Sequence, residues 1–187
     1  MSVADKLLSY REFEKLTFAR PTELVRGEIV EQEMPYSRHG SVCAAVAAFL
    51  LQWARRSRIG FVFSNDSHVL TERDPDTVRG PDCAFIRADR LPDNQLPERT
   101  LLVPVDLAVE VLSPSNRWTD MLDKVLEYLR SGVREVWVVD PEKRTLDIHQ
   151  ADQSPVHLTE SDTVTRPDLL PGFNCPMAEF FADIQAQ

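Results

Sequence analysis

The run Val105 to Leu112, VDLAVEVL, constrains this chain more than any other stretch. Aliphatic and β-branched residues in unbroken succession make a strand covered on both faces, and such a strand requires layers of structure on each side of its sheet. Glu110 interrupts the run. A carboxylate in a doubly covered strand is costly to bury unless a cation or hydrogen-bond donors meet it. Alternation puts Asp106, Ala108, Glu110 and Leu112 on one face and Leu107, Val109 and Val111 on the other, with small Ala108 leaving room beside the acid.

The covering layers are readable nearby. Residues 9 to 18 read as a short helix, and ELVRGEIVEQEM as two alternating runs joined in a hairpin at Arg26-Gly27. Val42, Val46, Phe49, Leu50 and Trp53 fall at helical spacing, and Gly60 is positioned to end that helix after Arg55, Arg56 and Arg58. FVFSNDSHVL, PDCAFI and VDLAVEVL read as three successive strands, separated by the polar turn TERDPDTVRG and the loop DRLPDNQLPERT. A second helix spans residues 117 to 131, with Trp118, Met121, Leu122, Val125 and Leu129 as its apolar stripe and Gly132 just beyond its end. VREVWVVDP is a fourth core strand. TLDIHQ and VHLTESDTV suggest an added antiparallel pair, the first as an exposed edge suited to an interface, before a last short helix near residues 176 to 183. The order helix, three strands, helix, strand is α/β. We expect a single domain over 1–187, with residues 1–22 a helical extension and 23–183 the core and its additions.

Composition excludes several function classes. At 43% hydrophobic and 27% charged, 187 residues suffice for one ordinary domain with a sizeable core. No apolar window approaches the roughly 20 residues of a membrane helix, and MSVADKLLSYREFEKL lacks the apolar core of a secretory signal, so a cytoplasmic protein is expected. Cys43, Cys83 and Cys175 are far apart with no CxxC pair; they read as small core residues rather than disulfide partners or zinc thiolates. The net charge of −9 argues against a broad, sequence-blind nucleic-acid surface, although Arg55, Arg56 and Arg58 make a local basic patch. No helix-turn-helix or zinc finger is recognisable, and the histidines show no zinc spacing.

A second acid shares the character of Glu110. Asp82 follows Pro81 at the start of an apolar segment, with Ala84 and Ile86 on its own face. Carboxylates on neighbouring strands that converge in a partly dry site repel one another, which raises one pKa unless a cation intervenes. A hard divalent ion with oxygen ligands is the usual solution, so Asp82 and Glu110 are read as metal ligands. The rival readings are a buried ion pair or water-facing strand end for Glu110, and an ordinary turn residue for Asp82. His39, just before the first long helix, could orient a phosphate or a water. Ser113-Pro114-Ser115 lacks a G-x-S-x-G elbow and is read as capping and first-turn residues, not as a nucleophile.

Taken together, G-E-I at Gly27 to Ile29, P-D at Pro81 and Asp82, V-E-V-L-S-P-S at Val109 to Ser115, K-x-x-x-Y-x-x-x-G-V at Lys124 to Val133, W-V-V-D-P at Trp137 to Pro141 and L-P-G-F at Leu170 to Phe173 carry a resemblance. The chain resembles, from about Leu24 to about Phe181, the bacterial restriction-endonuclease-like family of the PD-(D/E)XK nuclease superfamily. The resemblance implies a restriction-endonuclease-like αβββαβ core, with a mixed central sheet flanked by helices, to which this chain adds an N-terminal hairpin and C-terminal strands. It implies Mg²⁺, with Mn²⁺ as substitute, held by Asp82, Glu110 and the backbone carbonyl of Val111, and a lysine that assists attack of water on a DNA phosphodiester. It marks Glu28 as a third acid and implies a homodimer or higher homo-oligomer. The superfamily lysine lies two residues after the glutamate, where this chain has Leu112. Lys124, 14 residues beyond Glu110 on the following helix, matches a lysine the family carries there; its alternative is a solvated residue paired with Asp120 or Glu127. Two other functions keep the fold: a catalytically degenerate binding or assembly module, and a metal-dependent hydrolase of a small phosphorylated substrate.

Overall fold

The computed structural model of the protein describes residues 7–65, 67–114 and 117–184. Ser9 and Glu12 cap one another reciprocally and open α1 (Tyr10–Phe13), which buries Tyr10 and Phe13. The helix is shorter than the expected 9–18 because Lys15, Leu16 and Thr17 are exposed and give a further turn nothing to pack against. β1 (Thr22–Val25) and β2 (Glu28–Glu31) form the expected hairpin, with positive φ at both Arg26 and Gly27, the signature of a two-residue turn that follows the strand twist.

α2 (Ser37–Ser57) buries Val42, Val46, Leu50 and Trp53 on one face. It ends at Ser57, three residues before the expected glycine. Arg58 itself adopts the left-handed conformation and its N–H closes on the carbonyl of Ala54. Gly60 instead opens β3 (Gly60–Ser64), where a Cβ would lie 2.2 Å from the carbonyl oxygen of Ile86. Absence of a side chain here is a packing requirement. Gly60→Ala is therefore expected to cost about 1–3 kcal/mol in urea unfolding, the range for overpacking against atoms that cannot swing away.

FVFSNDSHVL is not one strand. The chain turns at Asn65, at φ 68°, and β4 (Val69–Glu72) leaves the sheet that β3 belongs to. TERDPDTVRG, expected as a turn alone, carries β5 (Thr77–Arg79) as well, and Val78 is fully buried between β1 and β4. Then come β6 (Cys83–Arg87), β7 (Leu107–Val111), α3 (Trp118–Ser131), β8 (Glu135–Asp140), β9 (Thr145–His149), β10 (Val156–Thr159), β11 (Thr163–Arg166) and β12 (Leu170–Pro176). A 3₁₀ stretch, Met177–Ile184, stands where a last short helix is expected and buries Phe180 and Phe181.

The central sheet has the order β10-β9-β8-β7-β6-β3; β7 and β8 run parallel and the other neighbours antiparallel. The mixed α/β architecture is the expected one. A smaller sheet, β2-β1-β5-β4, holds the hairpin, and β11 pairs with β12. VHLTESDTV divides between β10 and β11, and TLDIHQ is no edge, because β9 is bonded to β8 on one side and β10 on the other. The alternation read from VDLAVEVL holds. Leu107, Val109 and Val111 pack with the buried face of α2, while Ala108 packs with Met121, Val125 and Tyr128 of α3. Trp118 and Leu126, by contrast, are exposed. Arg117 caps α3 without a side-chain hydrogen bond, so Ser113 and Pro114 precede the helix rather than cap it, and Ser115 lies outside the described residues. Among the described residues no helix is long and apolar enough to cross a membrane.

Candidate active site

The antiparallel register of β6 and β7 pairs Cys83 with Val109, and Asp82, the residue just before β6, follows at the end of the sheet where Glu110 stands. Asp82 enters from the Gly80-Pro81 turn, and its Oδ2 accepts from the N–H of Val111 at 2.7 Å, which fixes the carboxylate against β7. Glu110 is 4% exposed. Its two oxygens are both used: Oε2 accepts from Lys124 Nζ at 2.9 Å and Oε1 from the Tyr128 hydroxyl at 2.8 Å. Lys124 and Tyr128 lie one helical turn apart on α3 and present both donors to the same carboxylate. Lys124 is not the solvated residue of the alternative reading, and Glu127 is engaged elsewhere, by Arg79 and Thr71.

A third acid meets the same lysine, and it is Glu23 rather than Glu28. Glu23 Oε1 lies 2.9 Å from Lys124 Nζ, and the carboxylate also accepts from Arg79 at 2.8 Å and from the N–H of Gly80 at 3.1 Å. Glu28 shares its strand face but stands beside the hairpin turn, opposite Val25 and exposed, about 7 Å along from the Glu23 level. The sequence held little sign of Glu23. In T-E-L-V alternation buries Leu24 and reads the neighbouring acid as solvent-facing, but α3 and Arg79 cover that side as well.

His39, on the first turn of α2, reaches the same place from the opposite side of the sheet edge. Its Nε2 lies 3.4 Å from Asp82 Oδ2, and its Nδ1 3.4 Å from Cys43 Sγ. Arg55 and Arg56 lie about 25 Å away along α2, so that basic patch is no part of the cleft. The cleft, about 420 Å³, is lined by Glu23, Glu31, His39, Arg79, Asp82, Glu110, Val111, Arg117 and Lys124, among others. Leu112 packs instead with the apolar layer under α3.

The electrostatics follow from this crowding. Burial pushes Glu110 up to about 7; Lys124 opposes the shift, while the neighbouring charges of Asp82 and Glu23 add to it. Glu23 is buried too, yet Lys124 and Arg79 outweigh that and hold it down at about 2. Lys124 is held above its ordinary value because Glu110 and Glu23 outweigh its burial. His39 is also raised, since its bond to Asp82, its charge and the Val111 backbone overcome burial. Around Lys124 and Arg79, Glu23, Asp82, Glu110 and Glu127 outnumber the cations, and a protonated His39 would not close the gap. Carboxylate oxygens short of positive charge, beside a strand-end backbone, fit a hard divalent cation.

The family model of Uma2, described as a putative restriction endonuclease, matches residues 10–178. The fold is that of the crystal structure of a putative nuclease belonging to DUF820 from Anabaena variabilis, with a TM-score of 0.83 at 21% identity over 95% of this chain and 99% of that one. No curated protein matches the chain. With Asp82 bonded to the backbone of β7 next to Glu110 and a family model that spans nearly its whole length, this chain belongs to the Uma2 family of restriction-endonuclease-like proteins.

Proposed function

We propose that the protein is a metal-dependent endonuclease that hydrolyses phosphodiester bonds in DNA, with Asp82, Glu110 and Lys124 as its catalytic residues. The observation that carries this reading is Lys124 Nζ, held at 2.9 Å by Glu110 and by Glu23 at the wall of an acid-rich cleft. Asp82, Glu110 and the Val111 carbonyl would hold Mg²⁺, or Mn²⁺ in its place. When bound, the ion lowers the pKa of a water and neutralises charge developing at the phosphorus.

The chain's own residues supply the rest. Two carboxylates keep Lys124 protonated, which suits it to stabilise negative charge on the phosphate oxygens rather than to take a proton. Arg117 faces the same cleft and is placed to meet a phosphate entering between α3 and the hairpin. His39 orients Asp82, and in its protonated form adds a donor for the substrate. Tyr128 fixes the second oxygen of Glu110, so that the carboxylate cannot rotate away from the cleft. One copy presents one such acid pair, so cutting both strands of a duplex calls for two copies or two encounters, and a homodimer in the cytoplasm is the economical form.

The test is incubation of the purified protein with supercoiled, linear and single-stranded DNA in Mn²⁺, Mg²⁺ or EDTA, with Asp82→Ala in parallel. Cleavage that requires the metal and vanishes in the variant is the expected result. Full cleavage by Asp82→Ala, or none by the folded wild type on any of these substrates, would overturn the assignment.

A further inference from the structure

His39 and Cys43 stand one turn apart at the start of α2 and both turn toward Asp82. Their donor atoms and a carboxylate oxygen of Asp82 lie within 4.8 Å of one another, a grouping of nitrogen, sulfur and oxygen distinct from the all-oxygen set around Glu110. The spacing is that of a coordination polyhedron. A tetrahedral ion with bonds of about 2.0–2.1 Å to nitrogen and oxygen and about 2.3 Å to sulfur separates its ligands by about 3.3 Å for the nitrogen–oxygen edge and about 3.6 Å for the nitrogen–sulfur edge. Here His39 Nε2 lies 3.4 Å from Asp82 Oδ2 and 3.9 Å from Cys43 Sγ. On these two edges shifts of a few tenths of an ångström would seat an ion, the third edge, from Cys43 Sγ to the Asp82 carboxylate, being within 4.8 Å, and three protein ligands would leave one position open.

The donor types decide which ion. A thiolate and an imidazole favour a soft or borderline ion such as Zn²⁺ over Mg²⁺, which takes oxygen. Cys43 offers little as a nucleophile, because burial and the charges of Asp82 and Glu110 hold its thiol well above the ordinary range. We propose that His39, Cys43 and Asp82 form a second cation site, for a thiophilic divalent ion such as Zn²⁺, which shares Asp82 with the acid pair of the cleft. The sequence, read for pairs of histidines or pairs of cysteines, shows no sign of it, since the site would join one of each, His39 and Cys43, as an i, i+4 pair on one helix face. Zn²⁺ there draws on the carboxylate that Mg²⁺ needs, so the two ions compete through Asp82.

Titration of the DNA-free protein with Co²⁺, as a coloured stand-in for Zn²⁺, tests this independently of cleavage. The expected result is a thiolate-to-cobalt absorption in the near ultraviolet that saturates at one ion per chain. Zn²⁺ bleaches it and Mg²⁺ does not. Cys43→Ser abolishes it, His39→Ala weakens Co²⁺ binding by more than the roughly 10–100-fold typical of losing an outer partner, and Glu110→Ala retains it. No such band in the wild type, or an equal one in Cys43→Ser, would overturn the proposal. Should Cys43→Ser not fold, the wild type decides: Zn²⁺ must protect Cys43 from maleimide in peptide mapping, and equal labelling with and without Zn²⁺ counts against the site. Absence of DNA cleavage alongside an intact cobalt spectrum would instead count against the nuclease reading alone.

Discussion

Glu110→Gln is expected to abolish metal-dependent cleavage while making the metal-free protein more stable at pH 8 by about 3 kcal/mol. The gain comes from the burial that lifts Glu110 from an ordinary 4.5 to about 7. Between these values the folded chain holds a proton that the unfolded chain has lost, so stability falls as pH rises through the window, by about 1.4 kcal/mol per pH unit, and stays lower above it. Glutamine has no proton to lose, and its amide can still meet both Lys124 and Tyr128. Urea unfolding from pH 5 to 8 in EDTA should therefore show a steeper decline in the wild type than in the variant, where the raised His39 still contributes its own share. Mn²⁺ should reverse the decline in the wild type only, since an ion bound to the folded state alone adds stability. Equal pH slopes in the two proteins would show that Glu110 is not the acid held out of its ordinary range.

Glu23→Ala should be the most damaging single change to the fold at this site, at about 3–5 kcal/mol, because it leaves Lys124 and Arg79 buried with a partner removed. Glu23 is 4% exposed and serves four donors at once, Lys124, Arg79, Gln32 and the N–H of Gly80. The sign of its pH effect is opposite to that of Glu110. Its pKa is depressed from 4.5 to about 2, so its contribution is fully present above about pH 4.5 and is lost as pH falls through about 2, a span worth about 3 kcal/mol. Glu23→Gln should lack that acid loss. Denaturant midpoints at pH 7 and pH 3 test both statements, and a loss near 0.5 kcal/mol for Glu23→Ala would mark Glu23 as an ordinary surface residue.

How much of this was legible in the sequence depended on range. The β7 alternation, the two long helices and the Arg26-Gly27 hairpin rest on local periodicity, and each stands as read, apart from the ends of α2 and the exposed Trp118. That Asp82 and Glu110 stand on neighbouring segments able to converge was legible too, because the apolar runs that follow Asp82 and hold Glu110 read as successive strands. Glu23 and Arg79 were not. Both sit in short segments whose local pattern reads as hairpin and polar turn, and only the packing of the small sheet against α3 converts them into buried partners of Lys124. The division of FVFSNDSHVL between two sheets was hidden for a similar reason, since a bend at Asn65 leaves the apolar pattern on either side intact.

Arg79 binds Glu23 on β1 and Glu127 on α3, while Glu23 in turn grips Lys124. The small sheet is thus geared to the helix that carries the lysine. An object that grasps the β1–β2 hairpin and slides β1 even slightly would move one of the two anchors that aim Lys124 into the cleft. The lysine, which the superfamily usually projects from the strand of the glutamate, is here aimed jointly by that strand, through Glu110, and by a peripheral ribbon, through Glu23.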